Sequence, residues 1–102
     1  MAQMLNNENF NSSIENGVSV VDFFATWCGP CKMLAPVFEE LSGEMENVNF
    51  FKVDVDQALD IAREYAITTV PTMIIFKNGE VADKMIGFLP KEHIKAKIEA
   101  QL

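Results

Sequence analysis

The sequence predicts an α/β fold: one mixed sheet, parallel on one side and antiparallel on the other, with helices on both faces. Three observations carry this prediction. Strand-like runs at Val18–Ala25 and Val48–Val55 are each followed by a segment of helical periodicity, an alternation that produces parallel strands joined by right-handed crossovers. Two later strand-like runs meet across Asn78-Gly79, a strong hairpin signal. A last amphipathic stretch opens at Pro90.

Each element follows from its residues. Asn6 or Asn7 is placed to cap a short helix with Phe10 and Ile14 on its apolar side, ending near Gly17. Val18–Ala25 is almost continuously apolar, as in a strand buried on both faces. Leu34, Val37, Phe38 and Leu41 then recur at i, i+3, i+4 and i+7, which predicts a helix with one buried stripe, stopped by Gly43 and kinked at Pro36. Val48–Val55 alternates as a second central strand, and Asp56 is a candidate N-cap for a helix burying Ala58, Ile61, Ala62 and Tyr65. Thr72–Lys77 and Val81–Ile86 form the hairpin. The closing helix places Ile94, Ile98 and Leu102 on one face, with Pro90 in its first turn.

Bulk composition narrows the class. With 102 residues, 49% apolar and 23% charged, the chain reads as one domain spanning 1–102. That length buries roughly two-thirds of the unfolded surface, so the fold needs no covalent staple. Two cysteines are too few for a disulfide-dense secreted scaffold. A formal charge of −7 argues against nucleic acid or an anionic membrane surface as partner. No apolar run approaches the roughly 20 residues of a membrane span. The Asn-rich N-terminal stretch lacks the basic and apolar regions of a signal peptide. A cytoplasmic protein is expected, and there a close cysteine pair is more often catalytic or metal-binding than structural.

The pair is Cys28 and Cys31, within Trp27-Cys28-Gly29-Pro30-Cys31, where a buried strand gives way to a helix. The unpaired N–H groups and dipole of a helix N-terminus favour a thiolate at Cys28. Gly29 permits the bend and Pro30 pre-sets helical φ without removing a needed donor. One turn on, Cys31 can close a disulfide with Cys28. The expected chemistry is thiol–disulfide exchange, with Cys28 the exposed attacker and Cys31 the sheltered resolver. Sharing one turn makes the second step effectively unimolecular. The rival, half a zinc site, lacks ligands, because beyond the two cysteines the chain offers only the distant His93. A purely structural bridge over so short a loop would constrain little chain entropy.

Asp22 interrupts the apolar run of the strand that feeds the motif. A buried lone carboxylate is costly to ionise, so its pKa rises toward the range useful for proton transfer. The functional reading is general base for Cys31, through a water. The bland reading is a half-exposed strand or a carboxylate paired for structure. Lys52, which breaks the neighbouring strand in the same way, is the candidate electrostatic partner of Asp22.

These residues together resemble the thioredoxin family over essentially the whole chain. Val21-Asp22-Phe23-Phe24-Ala25-Thr26-Trp27-Cys28-Gly29-Pro30-Cys31-Lys32 is similar to its active-site segment, and Ala35-Pro36 to the kinked helix that follows. Lys52-Val53-Asp54-Val55-Asp56 resembles its third strand, Val70-Pro71-Thr72 its cis-proline loop, and Gly87 the glycine of its last active-site loop. The resemblance implies the thioredoxin fold, a central mixed five-stranded sheet flanked by four helices, and a cis Val70-Pro71 bond. Without it, Pro71 reads as an ordinary trans proline at a strand start. It also implies a substrate platform of Trp27, Val70, Pro71 and Gly87, joined by Phe88, where the Val70 backbone pairs with an extended substrate. One departure is visible: Phe24 stands where many bacterial members carry tryptophan.

The implied activity is general protein-disulfide reduction, since Gly29-Pro30 resembles the reducing members. No cofactor binds the chain itself, which has no dinucleotide fingerprint. Its redox-active Cys28–Cys31 disulfide would be recycled by thioredoxin reductase, an NADPH-dependent flavoprotein that holds both NADPH and FAD. Implied substrates are disulfide-bearing proteins such as ribonucleotide reductase, peroxiredoxins and methionine sulfoxide reductases, met by a monomer in electron transport and cell redox homeostasis. The alternative is a binding subunit of a larger complex, with redox incidental.

Overall fold

The side-chain alternation of one central strand organises the whole molecule. The computed structural model describes residues 1–102. In chain order it contains β1 (Gln3–Leu5), α1 (Phe10–Ile14), β2 (Val18–Phe24), α2 (Gly29–Glu44), β3 (Asn49–Asp54), α3 (Leu59–Glu64), β4 (Thr72–Lys77), β5 (Glu80–Ile86) and α4 (Lys91–Glu99). The five strands form one sheet in the order β1-β3-β2-β4-β5. β1, β3 and β2 are parallel, whereas β2–β4 and β4–β5 are antiparallel. The predicted mixed sheet with four helices is the one observed.

β2 is buried on both faces because its alternate residues serve two cores. Val18 and Val20 pack with Leu34, Phe38 and Leu41 of α2 and Ile94 and Ile98 of α4. Val21 and Phe23 pack on the other face with Phe10 and Ile14 of α1 and Ile61 of α3. Each such side chain contributes roughly 1.5–3 kcal/mol over its exposed state. Aromatic edges add geometry: Phe38 meets Phe50 at 5.2 Å, and Phe76 meets Phe10 at 5.7 Å and Tyr65 at 5.2 Å. On the outside, Lys91 at the start of α4 pairs with Glu40 and Glu44 of α2, and Lys95 lies 3.7 Å from Glu44.

Several boundaries differ from expectation, each for a local reason. β1 carries one buried residue, Leu5, too little for a pattern; it exists through its pairing with Phe51–Val53. Asn6 caps the turn before α1, accepting from the Glu8 and Asn9 amides, while Asn9 returns its Oδ1 to the Asn6 amide. α2 runs past Gly43 to Glu44, since that glycine keeps a negative φ and ends nothing. Pro36 lies inside α2, so the Lys32 carbonyl lacks its usual amide donor. Asp56 does not cap α3, whose N-cap is Ala58 without a side-chain bond. Leu102 lies beyond α4 and is 54% exposed, off the Ile94–Ile98 stripe.

The Asn78-Gly79 turn is as predicted. Both residues have positive φ, 51° and 86°, the requirement of a two-residue I′ hairpin. It also anchors the end of β2, because Asn78 Oδ1 accepts from the Gly17 amide and the Asn78 amide donates to the Gly17 carbonyl, both at 2.9 Å.

Candidate active site

At the opposite end of the sheet, β2 stops at Phe24 and β4 begins at Thr72. Cys28 is the N-cap of α2 in an extended conformation, and its Sγ accepts from the Cys31 amide at 3.2 Å. A sulfur there occupies the position an N-cap oxygen would take, and the same N–H stabilises a thiolate. Gly29 and Pro30 fill the first helical turn. Cys28 and Cys31 have Cα atoms 5.2 Å apart and form a disulfide pair.

The expected contrast in exposure between the cysteines is absent, for Cys28 is 5% and Cys31 4% exposed. They differ in neighbours instead. Cys28 Sγ lies 3.5 Å from the Val70 carbonyl oxygen. A disulfide sulfur carries no proton, so this is a contact in the oxidised pair and an S–H donation in a reduced one. Cys31 lines a cavity of about 200 Å³ with Asp22, Phe24, Ala25, Lys32 and Lys52.

Asp22 is 1% exposed, and its Oδ1 has no hydrogen-bond partner. Burial pushes its carboxyl up from 3.8 to about 7, against the opposing pull of the Lys52 charge. The half-exposed-strand reading of Asp22 is thereby excluded. Lys52 stands beside Asp22 in the β2–β3 register yet makes no ion pair with it. Its ammonium sits 5.2 Å from the Phe24 ring centroid, a cation–π contact. Phe24, the departure noted above, therefore carries the lysine.

The Val70-Pro71 bond is cis. Thr72 Oγ1 donates to the Thr69 carbonyl at 2.6 Å, and the Gly87 amide donates to the Pro71 carbonyl at 2.8 Å, joining the two loops. Gly87 has φ 85°, which favours glycine. No backbone hydrogen bond uses the Val70 N–H or C=O. Trp27 is 69% exposed and Phe88 also faces outward. The fold thus brings Cys28, Cys31, Asp22, Lys52, Trp27, Val70, Pro71 and Gly87 to one end of the sheet.

Asp56 joins this group without having been anticipated there. Its Oδ2 accepts from Trp27 Nε1–H at 2.9 Å, and its own amide donates to Asp54 Oδ1 at 3.0 Å. No sequence signal marks a bond between residues so far apart. His93 lies in α4, and no group of three or more His, Cys, Asp or Glu side chains converges in the structure.

A cysteine pair that caps a helix, is placed to form a disulfide across one turn and shares a cavity with a buried carboxyl suits one reaction class, thiol–disulfide exchange. The molecule is a thiol–disulfide oxidoreductase. Comparison with known proteins agrees: the thioredoxin family profile matches residues 1–100. The thioredoxin of Staphylococcus saprophyticus is 50% identical over 92% of this chain and 91% of its own, and that of Staphylococcus epidermidis 49% identical over 91% and 90%. Among solved structures, Malassezia sympodialis thioredoxin superposes with TM-score 0.86 at 39% identity, covering 98% of this chain and 90% of its own. A chain from a study of thiol resolution in a yeast mitochondrial 1-Cys peroxiredoxin via glutathione and thioredoxin systems gives TM-score 0.90 at 37% identity, covering 97% and 94%. The chain belongs to the thioredoxin family.

Proposed function

We propose that this chain, acting as a single domain and a monomer, is a general protein-disulfide reductase of the cytoplasm. The observation that carries the reading is the shared cavity, in which Cys31, Asp22 and Lys52 meet beneath the first turn of α2. Cys28 thiolate attacks one sulfur of a substrate disulfide, forming a mixed disulfide and releasing the other sulfur as a thiolate. Cys31 then gives its proton, through a water in the cavity, to the ionised Asp22 carboxylate. Lys52 holds part of that carboxylate population ionised by its charge. The Cys31 thiolate attacks Cys28 Sγ, the substrate leaves with both sulfurs reduced, and two electrons have moved to it.

Trp27, Val70, Pro71, Gly87 and Phe88 form the platform for an extended substrate, and the Val70 N–H and C=O, which make no backbone–backbone bond, support strand-like pairing. The redox-active disulfide is recharged by thioredoxin reductase, on which NADPH and FAD reside, so the chain serves electron transport and redox homeostasis. Ribonucleotide reductase, peroxiredoxins and methionine sulfoxide reductases are proposed recipients. No helix is long and apolar enough to cross a membrane.

Insulin reduction, driven by dithiothreitol or by NADPH with thioredoxin reductase, tests the reading. The wild-type chain accelerates it and Cys28→Ser abolishes the acceleration; a wild type without effect, or an active Cys28→Ser, ends the proposal. Cys31→Ser accumulates mixed disulfides through Cys28, and trapping through the other sulfur in Cys28→Ser would reverse the assigned roles.

A further inference from the structure

We infer that the Val70 carbonyl couples substrate docking to activation of Cys28: a substrate backbone N–H that bonds this oxygen takes over the acceptor of the Cys28 S–H and frees the thiolate. The inference rests on the reductase reading above and makes Val70 a positioning residue as well as a docking one. The oxygen is singled out by what its neighbours do. The Thr69 carbonyl accepts from Thr72 Oγ1 at 2.6 Å, and the Pro71 carbonyl accepts from the Gly87 amide at 2.8 Å. Between them the Val70 carbonyl receives no backbone amide, and its hydrogen-bond contact is with Cys28 Sγ at 3.5 Å.

Cys28 Sγ thus stands between two groups of opposite effect. The Cys31 amide, 3.2 Å away, donates to the sulfur and favours the thiolate. The Val70 oxygen is an acceptor, so it favours the protonated thiol, and its negative end opposes a thiolate. With Cys28 only 5% exposed, little water is present to screen either effect.

In the reduced protein the S–H donates to Val70. A donor arriving on that oxygen competes with the S–H, and where the S–H keeps the second lone pair the added N–H still offsets the carbonyl's negative end. Both effects have the same sign. The proton passes to water or a buffer base, no electrons move in this step, and the thiolate then attacks the substrate sulfur. The partner this selects is an extended polypeptide with a free amide N–H in register with Val70; a small disulfide without one meets a less reactive Cys28. The surrounding charges supply no such selectivity. Lys32 of α2, Asp22 of β2 and Lys52 of β3 line the cavity with Cys31, Asp54 ends β3, and Asp56 holds the Trp27 indole. Segments 67–71 and 87–89 bring no charged side chain. All these groups act whether or not an amide is docked.

The test uses reduced Cys31→Ser, whose single thiol is Cys28, and reads the ultraviolet absorbance of the thiolate against pH. The probe is a peptide copying the segment around an interchain cysteine of insulin, with serine in place of that cysteine, added until Trp27 fluorescence saturates. Below the midpoint of the titration it raises the thiolate fraction about threefold, the size of one weak hydrogen bond. Replacing one peptide amide by an ester, which removes the N–H and adds no bulk, abolishes the gain. Esters at the two adjacent positions, whose N–H groups point the other way in a strand, retain it. A peptide that leaves the thiolate fraction unchanged, that fails to bind, or whose esters all behave alike overturns the coupling. In each of those cases insulin reduction by the wild type leaves the reductase reading standing, whereas a wild type inert on insulin removes both.

Discussion

The two ends of β2 are built by opposite rules. At the Gly17 end, the residues in left-handed conformations are Gly17, Asn78 and Gly79, types that suit them, and the polar groups of Gly17 and Asn78 bond one another. At the Cys28 end, the Val70 amide has no partner, Asp22 Oδ1 is buried without one, a tryptophan faces solvent, and Ala66 takes a conformation better suited to glycine. Local preferences are honoured where only the fold is at stake and set aside at several positions where chemistry is done, Gly87 with its φ of 85° being one there that keeps to them. Ser19 marks the limit of the rule. Its hydroxyl is also buried and unpartnered, nearer the Gly17 end, but it is neutral and has no proton to exchange at ordinary pH.

The comparison can be broken by substitutions that disturb one end and leave the other alone. The largest effect belongs to the core away from the sulfurs. Phe10 is fully buried among Phe23, Tyr65 and Phe76. Phe10→Ala therefore costs roughly 3–5 kcal/mol in urea denaturation, while the folded protein keeps its rate of insulin reduction. A parallel loss of rate in fully folded protein would show that the two ends are coupled.

Asp22→Asn gives the opposite pattern. The folded carboxyl titrates near 7 against an ordinary 3.8, so ionising it destabilises the native state. That penalty is absent below about pH 4, grows as pH rises, and is complete above about pH 7. The variant is thus more stable than wild type by at most roughly 4 kcal/mol above neutrality, with the difference vanishing in acid. Resolution of the mixed disulfide slows, and the wild-type dependence of that step on pH, a fall in rate as pH drops through 7, disappears. Denaturation series at several pH values, with rapid-quench single turnovers, measure both. A stability difference independent of pH would mean that Asp22 is not the titrating group.

The smallest effect sharpens the contrast at the hairpin. Asn78→Ala loses the bond to the Gly17 amide and puts alanine at φ 51°, which costs about 1–2 kcal/mol. Thermal unfolding should register it, with turnover unchanged.

The same division explains what could be read from the sequence. β2, the α2 stripe and the I′ turn were legible because their signals are local: an apolar run, a 3.6-residue period and an Asn-Gly pair. β1 was not, since a three-residue strand with one buried side chain exists only through its partner β3. Asp56 read as a helix cap because Asp favours that position, whereas a bond to an indole brought up by another loop decided its role. The cis Val70-Pro71 bond was legible only through family resemblance, as trans is the default for any isolated X-Pro pair. Residue exposure did not separate the cysteines as their spacing suggested, because Val70 covers one and the Asp22 cavity backs the other.

Pro36 has a mechanical consequence. Beyond it, α2 is clamped to α4 by Lys91 and Lys95; before it lie the cysteines. With no amide at Pro36 to receive, the Lys32 carbonyl contributes no rung to the ladder, and the helix is two stiff rods on a soft joint. Bending therefore costs least at this point of α2, between the turn that holds the cysteines and the turns that carry Glu40 and Glu44.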